Sequence, residues 1–531
     1  MRFFYFFIFT IAFLFWLGPL SFFPLPWPDD AVFYLTGIDW IRIPSHYRML
    51  SQSMTNSDFL DANFNTMPAL PLLFGTLYHF GVRTLHFARL PGVLALAAYI
   101  CALISLLKHR NIKMIWVVLL GLCALFDPII RWGAMIIRPE VWQGLIFLLI
   151  LLDLDHFFKN KSTTRISFLL ALAAYIHFQA IFWVPAITAA ILSDLSITLK
   201  ERFKKLVEIA LKTLAWLSPW IFYAVLNFKH LLSQLQLHFA RLESHNPFTD
   251  SLYGFFQSVY LGMFIPVSYP KFLNPVKALF WIGIFASLFI FVFQTFKKRK
   301  IDPVSIGLSV ALLFQFYLWI DKPETWFVSL IHMIYFPWIA LQLFQNNSIS
   351  SSRSRTIVVT SLLTIFLSIE VTLAGYQIKK TQAHYRWSHY NEWVTCINQK
   401  LGPAKTIWQA AYPDSLIDLS GKNRERTFYR TIDFKPADIE TRKKEAVAKL
   451  DAIIHSVAIP IDSPLITRKY QGVPEKDDLY FVNEYPWMPD AQYSGPKLGK
   501  PWSAEICQTG PFWAMISTKN NSNRNQPDAV Q

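Results

Sequence analysis

The feature that most constrains this chain is the grouping of its apolar residues into long blocks with little charge. Of the 531 residues, 53% are hydrophobic and 16% are charged. Several blocks reach about 20 residues, the length that an α-helix needs to cross the hydrocarbon core of a bilayer. A soluble chain of this size would carry more charge. The pattern predicts an integral membrane protein with many transmembrane helices.

Hydropathy predicts about eleven spans, the first of which is retained rather than cleaved as a signal peptide. That first block is long and ends in a proline-rich segment without a small-residue cleavage site. The stretch 166–198 is divided near His177, because a single helix would bury polar groups in lipid. One long tilted helix is the alternative, and it would invert the topology of everything that follows. The predicted spans are 3–23, 88–107, 113–130, 139–155, 166–178, 180–198, 206–227, 276–296, 303–320, 325–345 and 356–376.

The net charge of +15 is explained by topology. Lysine and arginine cluster in short links between the spans, and with a cytoplasmic N-terminus every cluster falls on the cytoplasmic side, as the positive-inside rule requires. The sequence shows no pattern of basic residues interleaved with aromatic residues, so nucleic-acid binding is not indicated. We expect a multi-pass protein of the bacterial inner membrane with a periplasmic C-terminus. The clusters are 108–110, 159–165, 200–205, 297–300 and 353–355.

After the last predicted span, apolar runs shorten and charge, proline and glycine become more frequent. The predicted fold is a mainly α membrane protein of about 11 transmembrane helices, with a large first periplasmic loop and a C-terminal periplasmic α/β domain. The transmembrane module covers 1–377, with outer loops at 24–87 and 228–275; the α/β domain covers 378–520 and a disordered tail covers 521–531. Strands are expected at 405–411, 452–459, 479–482 and 512–517, and a polar helix at 436–449.

The four cysteines divide between the two predicted regions. Cys101 and Cys123 fall in spans, where we expect them to pack as small apolar residues. Cys396 and Cys507 fall in the predicted periplasmic domain, where an oxidising environment permits a disulfide. Two separate thiols are the equally open alternative, because sequence spacing does not show proximity in space.

The outer loop 228–275 is rich in histidine, with His230, His238 and His245. Their spacing matches no metal motif such as His-Glu-x-x-His. We interpret them as ordinary loop residues.

Two adjacent acids, Asp29 and Asp30, directly follow the first span. Like charges side by side repel each other, and burial near a membrane adds a desolvation cost. Charges at membrane depth are usually kept for function. A carboxylate here could deprotonate an acceptor hydroxyl or amine, or hold a divalent cation. A solvated helix N-cap is the alternative of equal weight.

The order of several motifs resembles that of the C-type, membrane-embedded glycosyltransferases, which use polyprenyl-phosphate sugars. That superfamily includes protein O-mannosyltransferases and lipid A aminoarabinose transferases. The motif resemblance covers about residues 1–200, and 200–376 are similar in architecture only. The family usually has Glu where Asp30 stands and Tyr where Phe33 stands. The matching segments are Asp29-Asp30 with Phe33-Tyr34, Pro68-Ala69-Leu70-Pro71-Leu72-Leu73, Ala88-Arg89-Leu90-Pro91-Gly92, Arg138-Pro139-Glu140, His177-Phe178-Gln179-Ala180 with the later Pro185, and Tyr335-Phe336-Pro337.

The resemblance implies an inverting displacement at the periplasmic face. A carboxylate takes a proton from the acceptor, the acceptor attacks the anomeric carbon, and the lipid phosphate leaves. Arginine suits the phosphate because its planar fork donates two hydrogen bonds at once; snorkelling to lipid headgroups or pairing with a nearby acid is the structural alternative. For Arg131, that acid would be Asp127, one helical turn away. The implied roles are catalytic base for Asp29 and Asp30, donor-phosphate contact for Arg138 and Arg89, and substrate pocket for Glu140, His177 and Tyr335.

The leading functional hypothesis is therefore transfer of a sugar from a polyprenyl-phosphate donor to an envelope acceptor, namely lipid A, a glycan or a protein. The sequence contains no nucleotide-binding glycine motif, which fits a donor without a nucleotide. A divalent cation is the one cofactor considered, and no nucleic-acid partner is expected. A transporter or flippase of lipid-linked glycans and a non-catalytic assembly protein are the alternatives.

Overall fold

The computed structural model describes the helical part of the chain and a small sheet. The described residues are 2–18, 28–42, 51–53, 62–64, 66–160, 162–242, 302–321, 325–344, 353–384, 386–412, 427–430, 450–458 and 502–519. The helices are α1 (Arg2–Leu17), α2 (Pro28–Arg42), α3 (Ala69–His79), α4 (Leu85–Ala88), α5 (Leu90–His109), α6 (Met114–Phe126), α7 (Pro128–Ala134), α8 (Glu140–Asn160), α9 (Thr164–Ile176), a 3-10 helix (Phe178–Phe182), α10 (Trp183–Ser193), α11 (Leu199–Leu226), α12 (Phe228–Leu242), α13 (Pro303–Asp321), α14 (Thr325–Phe344), α15 (Arg353–His384) and α16 (Trp387–Leu401). The strands are β1 (Ser51–Ser53), β2 (Thr406–Tyr412), β3 (Thr427–Arg430), β4 (Ala452–Ala458), β5 (Trp502–Thr509) and β6 (Phe512–Lys519).

Three helical stretches in the described part are long and apolar enough to cross a membrane: Leu85–His109, Leu199–Leu226 and Thr356–Tyr376. A fourth candidate is broken, because α6 and α7 meet at an angle of 59°. The break follows from the Asp127-Pro128 dipeptide, since the residue before proline is disfavoured in the helical conformation and proline donates no backbone hydrogen bond.

The predicted division of 166–198 is confirmed as a break in the helix. His177 is extended, with φ −161° and ψ 145°, and it separates α9 from the 3-10 helix and α10. Predicted span 276–296 lies outside the described residues. The total of eleven spans and the orientation of the termini therefore stay predictions.

The chain divides into two compact units. The helical unit consists of Met1–Ser21, Asn65–Leu70 and Arg89–Lys379. The sheet unit consists of Phe22–Phe64, Pro71–Ala88 and Lys380–Gln531. The sheet unit thus takes in much of the first predicted outer loop as well as the C-terminal region.

In the helical unit, small residues let helices approach closely, as is common in membrane proteins. A Cβ on Gly92 of α5 would lie 2.3 Å from the Ala134 carbonyl oxygen at the end of α7, and a Cβ on Gly144 of α8 would lie 2.5 Å from the Met333 side chain of α14. Large aromatic side chains, including that of Trp116, are fully buried.

In the sheet unit, six strands are arranged in the order β1-β3-β2-β4-β6-β5. The four strands from β1 to β4 pair in parallel, and β6 runs antiparallel to both β4 and β5. Helix α16 packs on β5 and β6 through Trp393, whose ring lies 5.4 Å from that of Phe512. A disulfide between Cys396 and Cys507 joins α16 to β5.

Three of the predicted strands are confirmed, as β2, β4 and β6. The predicted strand at 479–482 and the helix at 436–449 lie outside the described residues. Strands β1, β3 and β5 and helix α16 were not predicted. Strand β1 is the least expected, because it comes from the first outer loop and pairs with β3, more than 370 residues later.

Candidate active site

The acidic pair lies in the first turn of α2, which begins at Pro28. Proline suits the first helical position, and acids near a helix N-terminus interact favourably with the helix dipole. The Asp30 side chain is fully buried. A solvated cap is therefore excluded for Asp30, whereas a catalytic role for either aspartate stays a prediction.

Two glycines set the position of the acidic helix against α3. A Cβ on Gly37 would lie 2.0 Å from the carbonyl oxygen of Pro71, and one on Gly75 would lie 2.2 Å from the carbonyl oxygen of Gly37. Any larger residue would force the two backbones apart. The α2–α3 contact is thus a backbone-to-backbone contact that glycine alone permits at this distance.

Tyr34, on the same helix as the acidic pair, anchors α2 to the turn after α3. Its side chain is fully buried, and its hydroxyl donates a 2.8 Å hydrogen bond to the carbonyl oxygen of Val82. Burial raises the pKa of Tyr34 above its ordinary value, and nearby Arg83 only partly opposes this. The hydroxyl therefore stays protonated and keeps its role as donor.

Arg138 and Glu140 form an ion pair between α7 and α8. Arg138 Nη2 lies 2.9 Å from Glu140 Oε1, and Arg138 Nε lies 3.1 Å from Oε2, so the guanidinium contacts both carboxylate oxygens. The Glu140 side chain is fully buried and that of Arg138 is 11% exposed. The two-pronged contact fixes the plane of the guanidinium, and it matches the acid-pairing alternative considered for this arginine.

A second buried pair was not predicted. Asp127 Oδ2 lies 2.9 Å from His332 Nδ1 on α14, although the residues are 205 positions apart. Asp127 Oδ1 also caps α7 by accepting from the backbone N–H groups of Ile129, at 2.9 Å, and Ile130, at 2.8 Å. The sequence did carry a signal for this pair: Asp127 and His332 are isolated polar residues inside apolar segments, and such residues usually face a polar partner.

Helix α14 also contacts α5, α7 and α8. The Tyr99 hydroxyl of α5 donates a 2.6 Å hydrogen bond to the carbonyl oxygen of Met333. A Cβ on Gly133 of α7 would lie 2.7 Å from the Ser329 hydroxyl, and the Met333 side chain lies against Gly144 of α8. Because α14 contacts both α7 and α8, it fixes the two ends of the short segment that carries Arg138.

The other three predicted site residues are also in the helical unit. Arg89 precedes α5 and is 1% exposed; Tyr335 lies on α14 and is 4% exposed. His177 directly precedes the 3-10 helix as its N-cap, and its Nδ1 accepts from the Gln179 backbone N–H at 3.3 Å. That contact requires an unprotonated Nδ1 in this arrangement.

Gln143 ties the start of α8 to the break at His177. Its Nε2 donates to the carbonyl oxygen of Ala173 at 2.6 Å, and its Oε1 accepts from the Trp183 indole at 2.7 Å. A buried amide with both ends satisfied holds neighbouring helices in one arrangement.

Asp29 and Asp30 belong to the sheet unit, whereas the other five predicted site residues belong to the helical unit.

No cluster of three or more histidine, cysteine, aspartate or glutamate side chains suited to a metal ion occurs in the part of the chain that the structure describes. The divalent cation considered from the sequence stays a prediction.

Comparison with known proteins identifies the fold. No family model matches the sequence, and no curated protein matches it. The crystal structure of ArnT from Cupriavidus metallidurans bound to undecaprenyl phosphate does match, with a TM-score of 0.55 over 92% of this chain and 98% of that chain, at 13% identity. This chain has the ArnT fold. The resemblance found in the sequence is thereby confirmed at the level of the fold, and three described helical stretches are long and apolar enough to cross a membrane.

Proposed function

We propose that this protein is an inner-membrane glycosyltransferase that moves a sugar from a polyprenyl-phosphate donor to an acceptor of the cell envelope. The observation that carries the proposal is the match to ArnT, which extends over nearly the whole of both chains and whose crystal structure contains undecaprenyl phosphate. The motif order found in the sequence supports the same assignment independently, because it uses residues rather than shape.

In this proposal Asp29 or Asp30 is the base at the periplasmic face. The carboxylate takes a proton from an acceptor hydroxyl or amine, the new bond forms at the anomeric carbon, and the bond from that carbon to the phosphate oxygen breaks with inversion. The burial of Asp30 supports a role inside a site that excludes water. Excluding water prevents hydrolysis of the donor as a side reaction.

Arg138 is proposed to contact the donor phosphate, with Arg89 as a second contact or a brace. The polyprenyl phosphate is a good leaving group only when its growing negative charge is neutralised, and a charge-assisted hydrogen bond does this best when its direction is fixed in advance. The contact with Glu140 supplies this fixed direction by holding Nε and one terminal nitrogen of the guanidinium.

The function is tested first in cells. Mass spectrometry of envelope lipids and glycans from a deletion strain should show loss of one sugar modification and accumulation of its polyprenyl-phosphate donor. A strain that accumulates the donor on the cytoplasmic side only, with transfer intact in opened membranes, would instead indicate a flippase. An unchanged envelope would refute the proposal.

The base is tested with the purified protein and the donor so identified. Asp29→Asn and Asp30→Asn remove the base without a large change in shape, and loss of general-base catalysis should lower turnover by about 100-fold or more in at least one of them. Unchanged thermal unfolding would show that the loss is chemical. If both variants turn over at the wild-type rate, the base lies elsewhere.

The phosphate contact is tested at Arg138. Loss of a charge-assisted hydrogen bond costs about 1.5–3 kcal/mol, so Arg138→Ala should reduce turnover by about one to two decades at about 1.4 kcal/mol per tenfold. Arg138→Lys should recover only part of this, since lysine lacks the planar fork. If the arginine only balances Glu140, Arg138→Lys will be nearly silent, and Arg138→Ala will lower thermal stability more than affinity for undecaprenyl phosphate.

A further inference from the structure

The apolar face of helix α12 is exposed, which is the reverse of the pattern in a surface helix of a water-soluble protein. Phe228, Leu231, Leu232 and Leu235 follow the i, i+3, i+4, i+7 spacing that places side chains on one face. In a soluble protein that face would be buried. Here Phe228 is 61% exposed, Leu232 46% and Leu235 41%, while polar Gln234, on another side of the helix, is 1% exposed.

The exposed apolar side chains of α12 directly follow, along the chain, those at the end of a candidate membrane-spanning helix. Helix α11 meets the length and hydropathy requirements for a span and ends at Leu226, two residues before α12 begins. Near that end, Phe222 and Val225 are each 65% exposed and Leu226 is 67% exposed. Side chains this apolar at the end of a span face lipid, so the adjoining face of α12 begins at the edge of the same hydrophobic layer.

The charge of α12 has one sign. The segment 228–242 contains Lys229 and Arg241 and no aspartate or glutamate. Lys229 is exposed, and it directly follows Phe228, the first residue of the apolar face. An apolar face with an exposed cation beside it fits a bilayer surface that carries anionic headgroups, because the apolar side chains enter the acyl boundary while Lys229 contacts phosphate.

We propose that α12 is an interfacial helix that lies along the membrane with its Phe228–Leu235 face in the lipid and binds anionic lipid headgroups. It attaches the beginning of the long segment 228–275 to the membrane surface. This proposal does not depend on the transferase reaction, and it gives residues 228–242, interpreted from the sequence as part of a loop, a specific partner.

The test uses spin labels on the full-length protein in lipid vesicles. Cys101→Ser and Cys123→Ser remove the two free thiols, and single Leu235→Cys and Gln236→Cys variants then carry the label. These positions are sequence neighbours, both exposed, and point about 100° apart around the helix. In phosphatidylglycerol vesicles, the label at 235 should collide several-fold more often with oxygen, which dissolves in lipid, than with a water-soluble nickel chelate. The label at 236 should show the opposite preference.

Two results would overturn the proposal. Equal access of the nickel chelate to both labels would place the helix in water, and a label at 235 shielded from both agents would show that protein covers this face. The headgroup part is tested separately: the label at 235 should lie deeper in phosphatidylglycerol than in phosphatidylcholine vesicles, and Lys229→Gln should reduce that difference. An identical depth in the two lipids would refute binding of anionic headgroups.

Discussion

The Asp127–His332 pair should be the most sensitive point of the helical unit. Asp127 performs two tasks, because one carboxylate oxygen caps α7 and the other contacts His332. Both side chains are nearly inaccessible, at 2% exposure for Asp127 and 5% for His332. Loss of a helix cap alone costs about 1 kcal/mol. Removal of one partner of a buried hydrogen bond costs about 1–3 kcal/mol, because the other polar group stays buried without a partner.

We therefore expect Asp127→Ala to lower the free energy of unfolding by about 2–4 kcal/mol, from the lost cap and the lost contact together. Asp127→Asn keeps an oxygen that can cap α7 and loses only the charge-assisted contact, so it should cost about 1.5–3 kcal/mol. The control is Thr198→Ala, which removes the cap of α11, an exposed side chain whose hydroxyl accepts from Glu201 N–H. It should cost about 1 kcal/mol.

The measurement is chemical unfolding of the purified protein in detergent micelles, followed by circular dichroism. A double-mutant cycle with His332→Phe isolates the pairwise contribution, which should reach about 0.5–3 kcal/mol. If Asp127→Ala matches Thr198→Ala, the pair with His332 contributes nothing and the reasoning fails. If the two single effects simply add, the two residues are not coupled, and α14 is not held at α7 by this contact.

Two further predictions concern the sheet unit. Reduction of the Cys396–Cys507 disulfide, or its removal by Cys396→Ser, should lower the free energy of unfolding by about 2–4 kcal/mol, because the bond closes a loop of 111 residues; Cys101→Ser should be silent, and unfolding that does not respond to a reducing agent would contradict this. Gly37→Ala should displace the acidic helix from α3 and reduce turnover, whereas Gly375→Ala, where an added Cβ meets nothing within 4 Å, should leave activity unchanged; equal activity of the two alanine variants would show that the close approach is not needed.

Local patterns explain which parts of this protein could be predicted from its sequence. The length of apolar runs identifies membrane helices because the thickness of the bilayer is fixed. The break at His177 was predicted because a polar side chain there would otherwise lie in lipid. The break at Pro128 was not predicted, since it falls inside the predicted span 113–130. Strands β2, β4 and β6 were recognised from short runs rich in β-forming residues. The motif order also predicted the fold now seen in the match to ArnT.

The tertiary structure alone decided which distant groups meet. His332 is separated from Asp127 by 205 residues, and β1 from its partner β3 by more than 370, so no local pattern encodes either contact. The disulfide was likewise undecided, because spacing along the chain does not fix distance in space. Amphipathic spacing marks one face of α12 as apolar, but only the fold turns that face outward. The sequence of this protein determines its membrane helices through composition, and the packing of those helices determines which polar side chains become partners.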